Sequence, residues 1–212
     1  VIIRGNWARP YVEAGYKVIL VDPKHERTSK DGFLTLGMTV QDFLYDLRWG
    51  GLRDMTGSVR GILMAPPCTH FSVSGAQYWK TKDEDGRTAE AIDIVDACLT
   101  VVADLKPDWW CLENPVGRLP RLYPMRLGRP LMYFHPCEYA GYADDPEGEA
   151  YTKKTGLWGF FNTMLTKDER TPVRVCSQGS WIQRLGGASY RTKELRSITP
   201  TGFARAFARA NP

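Results

Sequence analysis

Cys68 stands directly after two prolines, in the stretch GILMAPPCTHFSVSG, residues 61 to 75. A thiol attacks carbon only as the thiolate, so a reactive cysteine needs access and electrostatic help. A cysteine inside a strand has neither, whereas one on the loop just after a strand has both. Pro67 has a fixed φ and no N–H, so the position of Cys68 is largely preset. The usual fate of an unpaired cysteine is that of a small buried apolar residue. That fate suits Cys98, inside a helical pattern, and Cys111, inside a strand-like run. The loop position of Cys68 favours chemistry instead. Cys137 and Cys176 bring the number to five, an odd count with irregular spacing and no Cys-x-x-Cys pair. Neither a zinc knuckle nor a disulfide framework is signalled. His25, His70 and His135 are scattered, and His135 with Cys137 supplies only two potential ligands, so no metal is expected.

Three segments share one grammar, an apolar run followed by chemically capable residues and a proline. Lys17 to Val21 ends in Asp22-Pro23, the run from Gly61 to Met64 ends in Pro67-Cys68, and Asp108 to Leu112 ends in Glu113-Asn114-Pro115. Such runs read as buried strands. Between them lie helical patterns. Asn6 to Ala14 has the length of a short helix, with Pro10 in its first turn and Gly15 at the place of a C-cap glycine. From Thr88 to Leu105, Ile92, Val95, Leu99, Val102 and Leu105 recur at spacings of three and four, an amphipathic helix. Thr39 to Leu47 is a weaker candidate. Strands alternating with helices predict an α/β fold with a mostly parallel, doubly wound sheet. Ligands of such sheets bind outside the carboxyl ends of the strands. Asp22, Cys68 and Glu113 are therefore expected along one edge. Residues 116 to 150 and 162 to 190 read as irregular, TKKTGLWGFF (152 to 161) as a strand, and the tail from Ile198 as a proline start and a short helix with Phe203 and Phe207 on one face. Trp109 and Trp110 are expected in the core.

The 212 residues, 43% of them hydrophobic, suit one domain, or one domain with a small appendage. No apolar run approaches the roughly 20 residues that span a bilayer. No secretory h-region is visible, so a soluble, cytoplasmic protein is expected. The chain opens at Val1 in a strand-like run, which suggests that the natural chain starts earlier. The net charge is +4. Its excess lies late, with Arg184, Arg191, Lys193, Arg196, Arg205 and Arg209 against Glu194 alone. That suits a polyanion partner or an ordinary solvated basic face.

Three motifs in order, PPCTHFSVSG (66 to 75), ENPVG (113 to 117) and TKKTGLW (152 to 158), resemble the small phage and prophage branch of the cytosine-C5 DNA methyltransferases. The resemblance implies a single S-adenosylmethionine-dependent methyltransferase domain of the class I, Rossmann-like type over residues 1–212. Cys68 would be the nucleophile that adds to carbon 6 of cytosine. Glu113 would hydrogen-bond ring N3 and the exocyclic amine, and Asn114 would help place the loop. The larger family has Val where Pro115 stands, and the small branch has Pro. For the methyl donor, S-adenosylmethionine, and its product S-adenosylhomocysteine, the resemblance implies Asp22 at the ribose hydroxyls, Asp42 at the adenine amine and Gly5-Asn6 at the methionine part. Pro67 and Thr199 join these cofactor contacts. The glycine-rich first motif of the larger enzymes is absent. Ser72, Ser74, Lys153, Lys154, Arg191 and Arg196 would contact cytosine-containing DNA.

Only about 40 residues separate Trp158 from Ile198, too few for a separate recognition domain of the usual size. Residues 162–196 would form a short recognition insert, helped by arms at 70–87 and 117–150. SQGSWIQRLGGASYRTKELR (177 to 196) mixes aromatic and basic residues in a way that suits phosphate contact and stacking. Two other functions stay open: the same chemistry on a free cytosine nucleotide or RNA, and an inactive nucleic-acid-binding module on the same fold. Retention of both Cys68 and Glu113 speaks against the inactive module.

Overall fold

The computed structural model describes residues 5–173, 175, 179–185 and 190–212. The strand-like opening run and Cys176 lie outside the described residues. The strands are β1 (Val18–Val21), β2 (Thr28–Lys30), β3 (Phe33–Leu36), β4 (Gly61–Met64), β5 (Trp109–Pro115), β6 (Met132–Phe134) and β7 (Thr155–Phe160). The helices are α1 (Arg9–Glu13), α2 (Val40–Trp49), α3 (Leu52–Thr56), α4 (Trp79–Glu84), α5 (Arg87–Leu105), α6 (Leu119–Leu122), α7 (Pro146–Glu149), α8 (Trp181–Arg184), α9 (Tyr190–Ser197) and α10 (Thr201–Ala210).

The class is mixed α/β, and the described strands fall in two sheets that mix parallel and antiparallel pairs. A three-stranded sheet has the order β1-β3-β2, and a four-stranded sheet the order β4-β5-β7-β6. Asp31 and Gly32 both have positive φ, at 52° and 80°, and return the chain so that β2 pairs antiparallel with β3. Two consecutive positive-φ residues make the tight turn whose twist suits a two-residue hairpin. The hairpin places β3 between β1 and β2. Asp22 N–H donates to Leu36 O at 3.2 Å and continues that pairing past β1.

The chain divides into two compact units. The first comprises residues 19–132 and 156–161, with residues 1–2. Its core gathers Leu36, Val40, Phe43 and Leu47 with Met64, Phe71, Leu112 and Trp158, and with Val95, Cys98 and Leu99 of α5. Both sheets contribute to that one apolar cluster. The α5 stripe behaves as its spacing predicts: Val95 and Leu99 are buried, and Ile92, Val102 and Leu105 pack against the core. The helix ends where Lys106 takes a left-handed conformation before Pro107. Trp109 is buried and Trp110 half-buried against the same core.

The second unit comprises residues 3–18, 133–155 and 162–212. Its core is aromatic: Phe134 and Phe203 stack at 3.7 Å, and Trp7 meets Phe203 and Phe207 at 6.1 and 5.6 Å. The tail helix α10 is held at its start by Glu149. Its Oε1 accepts from Thr201 N at 2.6 Å and Thr201 Oγ1 at 2.7 Å, and its Oε2 accepts from Gly202 N at 2.8 Å. A carboxylate at a helix N-terminus satisfies orphan N–H groups and complements the dipole. The stretch 116–150, expected to be irregular, contains α6, β6, α7 and two 3₁₀ turns. Among the described residues no helix is long and apolar enough to cross a membrane.

Candidate active site

Strands β4 and β5 run parallel, with Met64 opposite Leu112. Parallel neighbours leave a sheet at the same end. Ala65-Pro66-Pro67-Cys68 and Glu113-Asn114-Pro115 therefore emerge side by side, as expected. Asn114 is wholly buried, and its Nδ2 donates to Pro66 O at 3.1 Å. One amide thus fastens the proline loop to the end of β5. After Pro67 the chain turns into a short 3₁₀ segment, Cys68–His70. The N–H groups of Phe71 and Ser72 return to Cys68 O at 3.0 and 2.9 Å.

The nucleophile loop then lies along the segment that follows β5. Val73 N donates to Val116 O at 3.3 Å, Arg118 N donates to Phe71 O at 2.9 Å, and Ser72 bridges Gly117 antiparallel. The approach is close enough that a Cβ at Gly117 would lie 1.9 Å from Phe71 O. Phe71, fully buried, anchors the loop in the core.

Cys68 is partly exposed, while Cys98, Cys111 and Cys137 are buried. Burial pushes the thiols of Cys98 and Cys111 up, and the Glu113 charge adds to the effect at Cys111. Burial also raises Cys137, with Glu138 contributing. Thiols raised in this way are inert at neutral pH. The sequence-based division between structural cysteines and Cys68 thus agrees with the exposure of the four described thiols.

A cationic cluster that sequence reasoning did not find surrounds the loop. The Arg118 side chain is 5% exposed. Its Nε donates to His70 O at 3.0 Å, one terminal nitrogen to Asp83 at 2.7 Å and the other to Thr88 Oγ1 at 2.8 Å. Its guanidinium lies 4.8 Å from the Trp79 ring. Lys82 Nζ donates to Thr69 O at 2.5 Å. Desolvation holds the His70 imidazole below its ordinary value; Lys82, Arg87 and Arg118 push the same way and Asp85 opposes them. The only hint in the sequence is that Gly117-Arg118 directly continues the ENPV motif.

Asp22 is buried, with 1% exposure. Its Oδ1 accepts from Lys24 N at 2.8 Å, while Oδ2 is buried with no hydrogen-bond partner among the described residues. A buried carboxylate oxygen without a donor is rare and calls for one. The ribose hydroxyls of an adenosine cofactor are donors of the required kind, so Asp22 fits that group. Asp22 sits at the end of β1, in the three-stranded sheet of the described strands. Asp42 acts within its own helix, where its Oδ2 accepts from Thr39 Oγ1 at 2.7 Å and Thr39 N at 3.3 Å and closes the capping box of α2.

Ser72 is nearly buried and its Oγ lies 3.0 Å from Ser74 Oγ, whose residue is exposed. The remaining expected residues belong to the second unit. Gly5 and Asn6 form the turn before α1. Lys153 Nζ donates to Arg196 O at 2.8 Å, and Lys154 lies 4.6 Å from the Tyr133 ring. Thr199 follows α9, and the Arg191 side chain lies outside the described residues. Among the described residues no group of three or more His, Cys, Asp or Glu side chains could hold a metal ion.

No family model matches this chain, and no curated protein matches it. A solved structure does: a candidate DNA modification methyltransferase encoded within an E. coli prophage. The likeness has a TM-score of 0.43 and 14% sequence identity, over 73% of this chain and 43% of that one. The chain thus matches less than half the length of that neighbour.

Proposed function

We propose that this chain is an S-adenosylmethionine-dependent DNA cytosine-C5 methyltransferase in which Cys68 is the nucleophile. The observation that carries the reading is the 3.1 Å bond from Asn114 to Pro66 O. It joins the Pro-Pro-Cys loop to the strand end that bears Glu113, so a thiol and a carboxyl group are presented at one sheet edge.

The roles follow from the residue types. The Cys68 thiolate adds to cytosine carbon 6, forming an S–C bond and leaving carbon 5 electron-rich. Glu113 steadies the ring by hydrogen bonds at N3 and the exocyclic amine, and its negative charge favours N3 protonation. S-adenosylmethionine, when bound, supplies an electrophilic methyl group. Loss of the carbon 5 proton then expels Cys68 as thiolate and restores the aromatic ring. Asp22 would hold the ribose through Oδ2, which has no partner among the described residues, with Pro67 as a further cofactor contact in the same unit. Asp42 would meet the adenine through the edge that its cap leaves over. In the first unit Ser72 and Ser74 would contact the DNA; in the second, Lys153, Lys154, Arg191 and Arg196 would contact it by charge rather than base reading.

The test uses 5-fluorocytosine, because fluorine blocks the final elimination and traps the adduct. Duplex oligonucleotides of mixed sequence carrying this base, and separately the free nucleotide, are incubated with the protein and S-adenosylmethionine. The expected result is a covalent mass shift on the Cys68 peptide with duplex. An adduct with the nucleotide alone would move the substrate to a precursor, and no adduct with either would overturn the enzyme reading.

A further inference from the structure

Cys68 and Glu113 leave one sheet edge together, and this creates an electrostatic problem. A thiolate beside a carboxylate is disfavoured, just as the Glu113 charge helps to raise the buried Cys111 thiol. A cation near a nucleophilic cysteine favours its thiolate form.

The charged groups of the surrounding elements can be taken in turn. Arg118 is committed to Asp83 at 2.7 Å. Arg87 is committed to Asp85, with its Nε at 2.8 Å. Lys80 faces Glu84 at 3.9 Å on the exposed side of α4. His70 is held below its ordinary value by its desolvated site and cationic neighbours, so it is neutral where Lys82 is charged. Lys82 differs from all of these. Its bonded partner is a carbonyl, Thr69 O at 2.5 Å, and among the described residues no carboxylate pairs with it. Thr69 is the residue next to Cys68, so the ammonium is tied to the nucleophile's own turn. Desolvation holds the Lys82 ammonium below its ordinary value, with Arg87 and Arg118 pushing the same way, while Asp85 and Cys68 oppose them.

We propose that Lys82 is a positioning residue whose positive charge holds Cys68 in its thiolate form. The inference rests on the reading of Cys68 as a nucleophile, but it concerns the thiol itself and needs neither cofactor nor DNA. Lys82 comes from α4, in the arm between the two catalytic motifs, and neither motif contains it. Its hydrogen bond fixes the charge at the carbonyl of the residue that follows Cys68. An opposite charge within several ångströms commonly shifts a titration by about one to three units.

The experiment measures the rate of Cys68 alkylation by iodoacetamide against pH, read by mass on the Cys68 peptide in the absence of substrate. Lys82→Gln keeps an N–H donor for Thr69 O but removes the charge. Its alkylation midpoint should rise by about one unit, which lowers the rate near neutral pH about tenfold. Lys82→Arg should restore the rate to within about threefold of the parent. Raising the salt on the unaltered protein should move its midpoint in the same direction as Lys82→Gln, because screening weakens the pair. That arm decides the matter even if a variant fails to fold. A Lys82→Gln midpoint equal to the parent's, or a parent midpoint indifferent to salt, overturns the proposal. The readout also separates two failures. No adduct with 5-fluorocytosine but a low, Lys82-dependent midpoint removes the methyltransferase reading and leaves the Lys82 pair standing. A normal adduct with a Lys82-independent midpoint does the reverse.

Discussion

At the residue scale, three side chains divide the labour of the proposed reaction, and each can be removed separately. Cys68→Ala should abolish turnover and leave S-adenosylmethionine binding within a few-fold of the parent by calorimetry, since the thiol belongs to base chemistry. Retained turnover in that variant would end the mechanism. Glu113→Gln keeps the shape and loses the charge that favours N3 protonation. Single-turnover methyl transfer should slow on the order of 10²–10³-fold; a rate within a few-fold of the parent would remove Glu113 from the chemistry. Asn114 touches no reacting atom in this scheme and works by holding Pro66 O. Asn114→Ala leaves that carbonyl without its donor and should cost about 1–3 kcal/mol in urea unfolding. It should also loosen Cys68, so that alkylation of the thiol changes along with stability. An unchanged urea midpoint would show that the loop is held by other means.

At the element scale, the site depends on one close backbone approach, between the nucleophile loop and the segment after β5. Gly117 makes it possible: a Cβ there would lie 1.9 Å from Phe71 O and 2.6 Å from Phe71 C. Neither atom is the end of a flexible side chain, so relief requires moving the loop itself. Gly117→Ala should destabilise by about 1–3 kcal/mol and displace Cys68, with methyl transfer falling while every catalytic side chain remains. A variant with parental melting temperature and rate would mean that the two segments separate without consequence. How far these elements were legible depended on whether their signal was local. The three strand-proline junctions, α5 and α10 could be read because apolar spacing and proline stops are local signals. The β2–β3 hairpin carried an equally local sign, Asp31-Gly32 between short β-prone runs, but its strands are only three and four residues long. Lys82 and Arg118 were not legible for a different reason. Their meaning comes from the fold bringing residues 69–88 against residues 116–118, and nothing in the spacing of an arginine predicts a buried one.

At the scale of the whole molecule, the two units share one dependence on pH. Desolvation holds both His70, in the first unit, and His135, in the second, below the ordinary histidine value of 6.5. The unfolded chain therefore binds more protons than the folded one once pH drops below about 6.5, and stability must fall in that direction. Asp83, Asp85 and Asp104 in the first unit, and Asp144 in the second, lie below the ordinary 3.8 chiefly through bonds to Arg118, Arg87, Arg48 and Arg205. Their share is present above 3.8 and is lost only in stronger acid, so the acid side should show two phases. The alkaline side has its own limit. Burial pushes Tyr139 up to about 12 from 10.0, so its stabilising share is full below 10.0 and lost as pH rises through about 12. The expected profile is a plateau from near neutrality to about pH 9, above which the raised thiols of Cys98, Cys111 and Cys137 begin to weigh, with a shallow decline below about pH 6.5 that belongs to the histidines. Urea midpoints across that interval provide the check. His70→Asn should flatten the decline in the first unit's transition, His135→Asn in the second's, and the double variant in both. If the double variant keeps the full slope below about pH 6.5, the histidines are not its source. His70 also links this profile to the site, since it lies two residues from Cys68 beside Lys82. Protonating it adds a further cation to the Lys82, Arg87 and Arg118 group and draws the Cys68 midpoint lower. The His70→Asn variant should therefore lose the acid-side stability slope with little change in thiol reactivity at about pH 8, where the imidazole is already neutral.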